Sequence, residues 1–538
     1  MVVPSPPAGP GPAGGPSRPP TCFRKFFLGL PFFWFTFIVA IAWYLFLGRL
    51  LGGSLPVPDT GSYLVSPAAY LTGGGWPSLA RGPLYGFLVI LLGKTGWCDS
   101  IAVVQGVAMA FACGMMAQLL WAETKNISLS LVGTLFMVFS AGQWIYIFWI
   151  TPEAFFISGI VLAFCVLMVL ISSWAAEQNY KKIIFYSVLY ALAWIMATLF
   201  KQVGILLGLP LLLSAACSIS YRPKRWKPII VQTALICGLF ALFYSGASTF
   251  VWSASGRAAW GLEDNRVQQM LVGAGAYIDL SGPAEKDLKA ALKEHVLTIR
   301  EKYPGNQDAY RYGPHSLWDA ARKHLCASSA GKKECEDLVK AKLSAVLAEG
   351  IANNRTEYAK DILKKTGRYL RQPFFYGYNP LYQPRSYVLT PFVKEWLPTV
   401  ARQSQGDECT EAGRAGSLNC LRKVSGGELA RAWFRLWEDN YFRVREVLTN
   451  SAAGLILWLL SLIVLFKAEW KRRIFLISIL AYVLVHFLVS AAFVGQFMRY
   501  QHEVSVLILI YWLLIVYEVG AWVKGGVTAL RSGIAARK

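Results

Sequence analysis

The stretch IIFYSVLYALAWIMATLFKQVGILLGLPLLLSAACSISY, residues 183–221, carries one charged side chain, Lys201, in 39 positions. A helix needs about 20 apolar residues to cross a bilayer core. The stretch therefore reads as two membrane helices, 183–200 and 202–221, meeting at Lys201. Comparable charge-poor runs cover 26–48, 100–122, 128–150, 154–173, 229–251, 451–466, 474–495 and 504–517. The expected fold class is an all-α polytopic membrane protein with a transmembrane body of about ten helices. Composition agrees. Of 538 residues, 55% are hydrophobic and only 16% charged, where a soluble domain carries roughly 25% charged. A soluble globule and a disordered chain are both excluded.

The charges are unevenly placed. Residues 257–450 hold 23 of the 31 acids and 30 of the 53 bases. The chain thus divides into a Pro/Gly-rich disordered leader (1–25), an N-terminal membrane module (26–251), a soluble insertion (252–450), C-terminal membrane helices (451–523) and a basic tail (524–538). With the N-terminus in the cytoplasm, the membrane body puts 18 bases in cytoplasmic segments and five on the other face: Arg49, Arg81, Lys94, Lys201 and Arg499. That is a strong positive-inside bias. It accounts for most of the net charge of +22, so the lipid bilayer, and no nucleic acid, is the expected partner. Both termini then face the cytoplasm, and the insertion faces away from it.

The insertion reads as mainly helical, with helices over 283–303, 333–365 and 428–447 and a Gly/Pro/Tyr-rich segment over 366–425. Cys326 and Cys335 are nine apart and Cys409 and Cys420 eleven. In an oxidising compartment these spacings suit two local disulfides, Cys326–Cys335 and Cys409–Cys420; four free thiols are the other reading. No cysteine spacing suggests zinc. Of two glycosylation sequons, Asn126-Ile-Ser and Asn354-Arg-Thr, only the second lies outside the cytoplasm.

Four acids of the membrane body face outward: Asp59, Asp99, Glu153 and Glu503. Charge at a membrane edge is costly unless paired or wet. Asp59, in PVPDTGSYL, reads as a turn residue or as a functional carboxylate. Glu153 follows Thr151 and Pro152, which is also good helix-start chemistry. Glu503 has Arg499 as a candidate partner. Arg81, Lys201 and Arg499, with Tyr85, Phe200 and Tyr500 beside them, point either to independent snorkelling or to an anionic ligand at headgroup level, such as a lipid phosphate. In the insertion, RYLRQPFFYGYNPLYQPR (368–385) supplies Arg371, Tyr376 and Tyr378, residue types that stack on sugars and bind anionic glycans; a packed loop is the alternative.

Taken in order, Asp59, the segment Arg81-Gly-Pro83-Leu-Tyr85, Thr-Pro-Glu153 and Arg499-Tyr500 resemble the motifs of GT-C glycosyltransferases. The nearest pattern is that of the protein O-mannosyltransferase and lipid A aminoarabinose transferase group. The resemblance covers 26–250 and 474–521. It departs from the family where Asp59 lacks an acidic neighbour, where Gly replaces the commoner Pro after Arg81, and in the large insertion. The resemblance implies transfer of a sugar from a polyprenyl-phosphate donor to a glycan, glycolipid or protein acceptor on the outer side, in cell envelope biogenesis at a bacterial inner (plasma) membrane. Asp59 would be the general base of an inverting displacement, with Glu153 orienting the acceptor or pairing with a base. Arg81, Lys201 and Arg499, with Tyr85 and Tyr500, would hold the donor phosphate. No metal and no other cofactor is expected, since a monophosphate donor lacks the diphosphate that recruits one. Two other classes compete: a lipid or glycan transporter or flippase, and a non-catalytic envelope assembly subunit.

Overall fold

The computed structural model describes residues 31–51, 60–73, 83–94, 100–139, 147–148, 151–175, 180–255, 262–303, 307–311, 314–326, 332–371, 452–493 and 499–537. Every regular element among them is helical. Eight helical segments are long and apolar enough to cross a membrane, which makes the chain an integral multi-pass membrane protein. The expected spans 128–150 and 451–466 correspond to two shorter apolar helices.

The apolar helices of the bundle are α1 (Pro31–Leu51), α4 (Ser100–Thr124), α5 (Ile127–Phe139), α6 (Glu153–Ala175), α7 (Tyr180–Phe200), α8 (Gly208–Tyr221), α9 (Trp226–Ser255), α15 (Ala452–Lys467), α16 (Trp470–Phe493) and α17 (Arg499–Arg537), of which α5 and α15 are the two shorter ones. Between α1 and α4 lie two short helices, α2 (Thr60–Leu71) and α3 (Pro83–Lys94). α6 is the central column, touching α4, α7, α8, α16 and α17. Its residues Phe156, Ile157, Phe164, Leu167 and Ile171 are almost fully buried. Such all-round burial explains why α6 is apolar on every face. α7 ends at Phe200, and Lys201 leaves the helix in an extended conformation before a 3-10 turn (Gln202–Leu207) leads into α8. Gly204 lies so close to the α7 backbone that a Cβ there would meet the Ala197 carbonyl carbon at 2.6 Å.

α2 and α3 form a hairpin with a core of its own. Tyr63, Leu64 and Ala68 of α2 and Tyr85, Val89 and Ile90 of α3 pack with Ile101 and Phe200. Gly86 is required there, because a side chain would run into the Tyr63 carbonyl and the Pro67 ring.

The insertion holds α10 (Leu262–Ala274), α11 (Lys286–Lys302), α12 (Leu317–Leu325), α13 (Lys332–Asn353) and α14 (Arg355–Arg371). The helix expected over 283–303 starts later, at Lys286, behind Glu285 in a left-handed conformation (φ 47°). The helix expected over 333–365 is two helices broken at Asn354. The Asn354 amide donates to the Gly350 carbonyl (2.9 Å) and the Tyr277 carbonyl (3.3 Å), capping α13 and anchoring the next turn. Leu288, Leu292, Val296 and Ile299 of α11 meet Leu271, Leu317, Val339, Leu343 and Val346 in a second core. The expected Cys326–Cys335 disulfide is present, with Cα atoms 5.6 Å apart. Cys409 and Cys420 lie outside the described residues.

The last described helix of the insertion, α14, packs against α16 of the bundle. Tyr369 is fully buried in the body's core and stacks on Phe487 of α16 at 5.1 Å. α14 carries six bases and two acids in 17 residues, which hid its packing on α16 from hydropathy.

Candidate functional site

The site is assembled from the ends of four helices. At the start of α6, Pro152 fixes a helical φ and its carbonyl accepts from the Phe156 N–H at 2.9 Å, so Glu153 occupies the first turn near the positive end of the helix dipole. Its side chain is fully buried. The break after α7 turns Lys201 inward, and its Nζ lies 3.4 Å from Glu153 Oε1. The same ammonium pairs with Glu503 Oε1 of α17. The other Glu503 oxygen, Oε2, is 3.6 Å from His486 Nε2 of α16. Glu503 and His486 are also fully buried, whereas Lys201 keeps 13% of its side chain exposed.

One ammonium is thus shared by two carboxylates, and an imidazole backs the second. Charges removed from water need this kind of mutual compensation. Among these four side chains the formal charge is −1 with His486 neutral and zero with it protonated. The surroundings are aromatic. Lys201 Nζ stands 5.7 Å above the Phe156 ring, Phe155 stacks on Phe200 at 4.6 Å, and Tyr482 lies 6.0 Å from His486. The threonine before the cluster, Thr151, is buried with its hydroxyl making no hydrogen bond among the described residues.

The hairpin of the first loop abuts this cluster. The Tyr85 ring lies edge-on to Tyr63 (5.4 Å), Phe155 (6.2 Å) and Phe200 (6.4 Å). Phe155 and Phe200 are near neighbours in sequence of Glu153 and Lys201. Tyr85 is fully buried and its hydroxyl donates to Gln105 Oε1 at 2.9 Å; Gln105 Nε2 in turn donates to the Ile147 carbonyl at 2.7 Å. Tyr85 thus braces the hairpin against α4. The described partners of Glu503 are Lys201 and His486.

Asp59 and Arg81, like Tyr376 and Tyr378, lie outside the described residues. Asp59 immediately precedes α2, and Arg81 stands two residues before α3. Arg499 and Tyr500 open α17 and Arg371 closes α14; only their helical backbone is described. Of the expected set, the structure therefore brings Glu153 and Lys201 together directly. It adds Glu503 and His486. The sequence held one signal for the latter: His486 is an ionisable residue inside an apolar run.

The opposite end of the bundle is built differently. There Arg472 pairs with Glu518, Arg473 donates to the Tyr221 hydroxyl at 2.8 Å, and Lys467 lies 5.4 Å over Trp522. Cations with aromatic and backbone partners are what the positive-inside reading puts on the cytoplasmic face.

No family model, no curated protein and no solved structure matches this chain.

Proposed function

We propose that the chain is an integral membrane glycosyltransferase of the GT-C type, moving a sugar from a polyprenyl-phosphate donor to a glycan, lipid or protein acceptor outside the cytoplasm. The observation that carries this reading is the convergence of Glu153, Lys201 and Glu503 at one end of the bundle, beneath the hairpin whose flanks in sequence are Asp59 and Arg81. The chemistry needs a carboxylate to take the acceptor proton and cations to neutralise the departing phosphate. As the sugar C1–O bond to phosphate breaks, the acceptor oxygen bonds to C1 from the opposite face and its proton passes to Asp59. One base and no nucleophile gives inversion.

On this reading Lys201 has two partners with different tasks. Its Nζ lies 3.4 Å from Glu153 Oε1 and also pairs with Glu503. A donor phosphate competes with Glu153 for the ammonium, while Glu503, backed by His486, keeps Lys201 in place. Glu153 is then released toward the acceptor. The test is reconstitution in liposomes with a panel of polyprenyl-phosphate sugars. Transfer by the wild-type chain from at least one donor, lost in Asp59→Asn with folding intact, supports the reading. Transfer from none, or full activity of Asp59→Asn, overturns it.

A second reading is favoured by one specific observation. His486 and Glu503 form an ionisable pair within membrane helices, and Ser478, Tyr482, His486 and Ser490 are all buried along one face of α16 at four-residue spacing. Inward-facing ionisable groups at membrane depth are features of proton-coupled carriers. Proton uptake into liposomes driven by a lipid-linked glycan, without covalent transfer, supports that alternative.

A further inference from the structure

Two histidines that take no part in the ion cluster meet inside the insertion. His295 lies on α11. His315 stands just before α12, whose Ser316 cap accepts from the Asp319 N–H at 3.3 Å. The chain neighbours Val296 and Leu317 belong to one core, so packed helices fix both backbones. The two ring centres are 5.7 Å apart, with the planes inclined by 66°. The ring of Tyr303 borders the pair, 6.4 Å from His315. Nδ1 of His295 is buried and makes no hydrogen bond. Buried polar atoms of native proteins almost always have a partner, so this one calls for an explanation.

The spacing suits two ligands on one ion. A neutral imidazole is the commonest metal ligand and binds through either nitrogen. With each nitrogen about 2.0–2.1 Å from a shared metal, two ring centres stand about 5–6 Å apart at tetrahedral and wider angles. The outer side-chain torsion of histidine is broad, so one nitrogen of each ring can turn to the gap without moving α11 or α12. Charge does not oppose a cation here. Lys293, Glu294, Arg311 and Asp319 are the charged residues within four positions of either histidine, and they sum to zero. Arg311 also donates to Gln268 Oε1 at 3.3 Å. No third His, Cys, Asp or Glu joins the pair among the described residues. The remaining coordination positions are therefore open to water, which makes the ion exchangeable rather than a closed structural centre.

We propose that His295 and His315 bind a divalent transition ion of the class that prefers imidazole: Cu²⁺, Zn²⁺ or Ni²⁺. The ion joins the middle of α11 to the entry of α12 and gives the buried His295 nitrogen its partner. Mg²⁺ and Ca²⁺, which demand oxygen ligands, are rejected. The site shares no residue with the Lys201–Glu503 cluster, and the assignment does not depend on sugar transfer.

The test uses the full chain in detergent, free of any polyhistidine tag, titrated with Cu²⁺ and with Zn²⁺. The electron paramagnetic resonance spectrum of the Cu²⁺-loaded wild type is expected to show the nitrogen hyperfine structure of imidazole ligands. Zn²⁺ is expected to raise the melting temperature by mass action. His295→Gln and His315→Gln are each expected to weaken Cu²⁺ binding at least about tenfold, a cost that losing even an outer-shell partner of a metal site incurs. His315 precedes its helix, so His315→Gln decides the matter should the α11 variant fold poorly. His324→Gln, at an exposed position of α12, is expected to bind as the wild type does. A Cu²⁺ spectrum without imidazole nitrogen overturns the proposal, as does undiminished binding by His315→Gln. Loss of binding in His324→Gln, or equal stabilisation of the wild type by Mg²⁺, overturns it too.

Discussion

Replacing Lys201 by Met removes a cation shared by two buried carboxylates. At 3.4 Å from Glu153, with an effective dielectric near 20, the gross attraction is about 5 kcal/mol. The Glu503 contact adds a second term of the same kind, and desolvation of all three groups offsets much of both. What remains on deleting one partner of a buried pair is typically ~3–5 kcal/mol, since the other charge is left without compensation. Purified Lys201→Met should melt at least about 5 °C below wild type in detergent. Adding Glu153→Gln and Glu503→Gln to the same chain should restore most of the loss, because neutral amides need no counter-ion. A double-mutant cycle of Lys201→Met with Glu503→Gln should show coupling of about 1 kcal/mol or more. If Lys201→Met melts with wild type, or the cycle closes to zero, the ion cluster is not what holds these helix ends together. The neutral triple variant separates structure from chemistry: it should be stable and inactive in sugar transfer.

Four further outcomes can be measured. Tyr369→Ala empties a fully buried position between α14 and α16; it should cost about 3–5 kcal/mol and expose the insertion to limited proteolysis, and an unchanged cleavage pattern counts against the docking. Gly86→Ala should separate α3 from α2 and abolish activity while the membrane body keeps its melting temperature; wild-type activity would show that the hairpin contact is dispensable. Cys326 and Cys335 should react with a maleimide only after reduction, and their replacement by Ser should lower insertion stability by about 2.5 kcal/mol for a loop of this size; labelling without reductant would contradict the bridge. Acid should loosen one edge of the insertion first. Hydrogen bonds from Ser281 and Asn353 hold the Asp279 carboxyl well below its usual range, and those from Lys289 and the Ala284 N–H lower that of Glu349. Depressed carboxyls stabilise above their unfolded values, about 3.9 and 4.3, and that contribution is lost as pH falls through the folded ones. Protection of the amides over 276–290 and 345–354, corrected for the intrinsic exchange rate at each pH, should therefore be unchanged between pH 7 and 5 and fall below about pH 4; uniform protection down to pH 3 would refute the assignment.

Much of the fold was legible because apolar run length decides membrane helices almost alone. The stretch 183–221 folds as read, with its break at Lys201. Glu153 sits at a helix start because Thr-Pro-Glu is good chemistry there, and Cys326 pairs with Cys335 across a short loop. Two things were hidden for physical reasons. Lys201 and Glu503 are 302 residues apart in sequence, and nothing local in either segment encodes their meeting; only the packing of α6, α7, α16 and α17 does. α14 was hidden by its charge. Its basic residues lower the mean hydropathy, yet Tyr358, Ile362, Thr366 and Tyr369 fall on one face at three- and four-residue steps and turn to α16. A helical period within a charged segment carried the information that average hydropathy discarded.

The length of α17 has a mechanical consequence. It runs unbroken for 39 residues, from Arg499 to Arg537, about 58 Å at 1.5 Å per residue against a hydrocarbon thickness near 30 Å. Glu503 and the basic tail therefore ride on a single rod. Anything that grips the tail also sets the azimuth at which that carboxylate meets Lys201, so a tether on one face of the membrane is felt, without any intermediary, on the other.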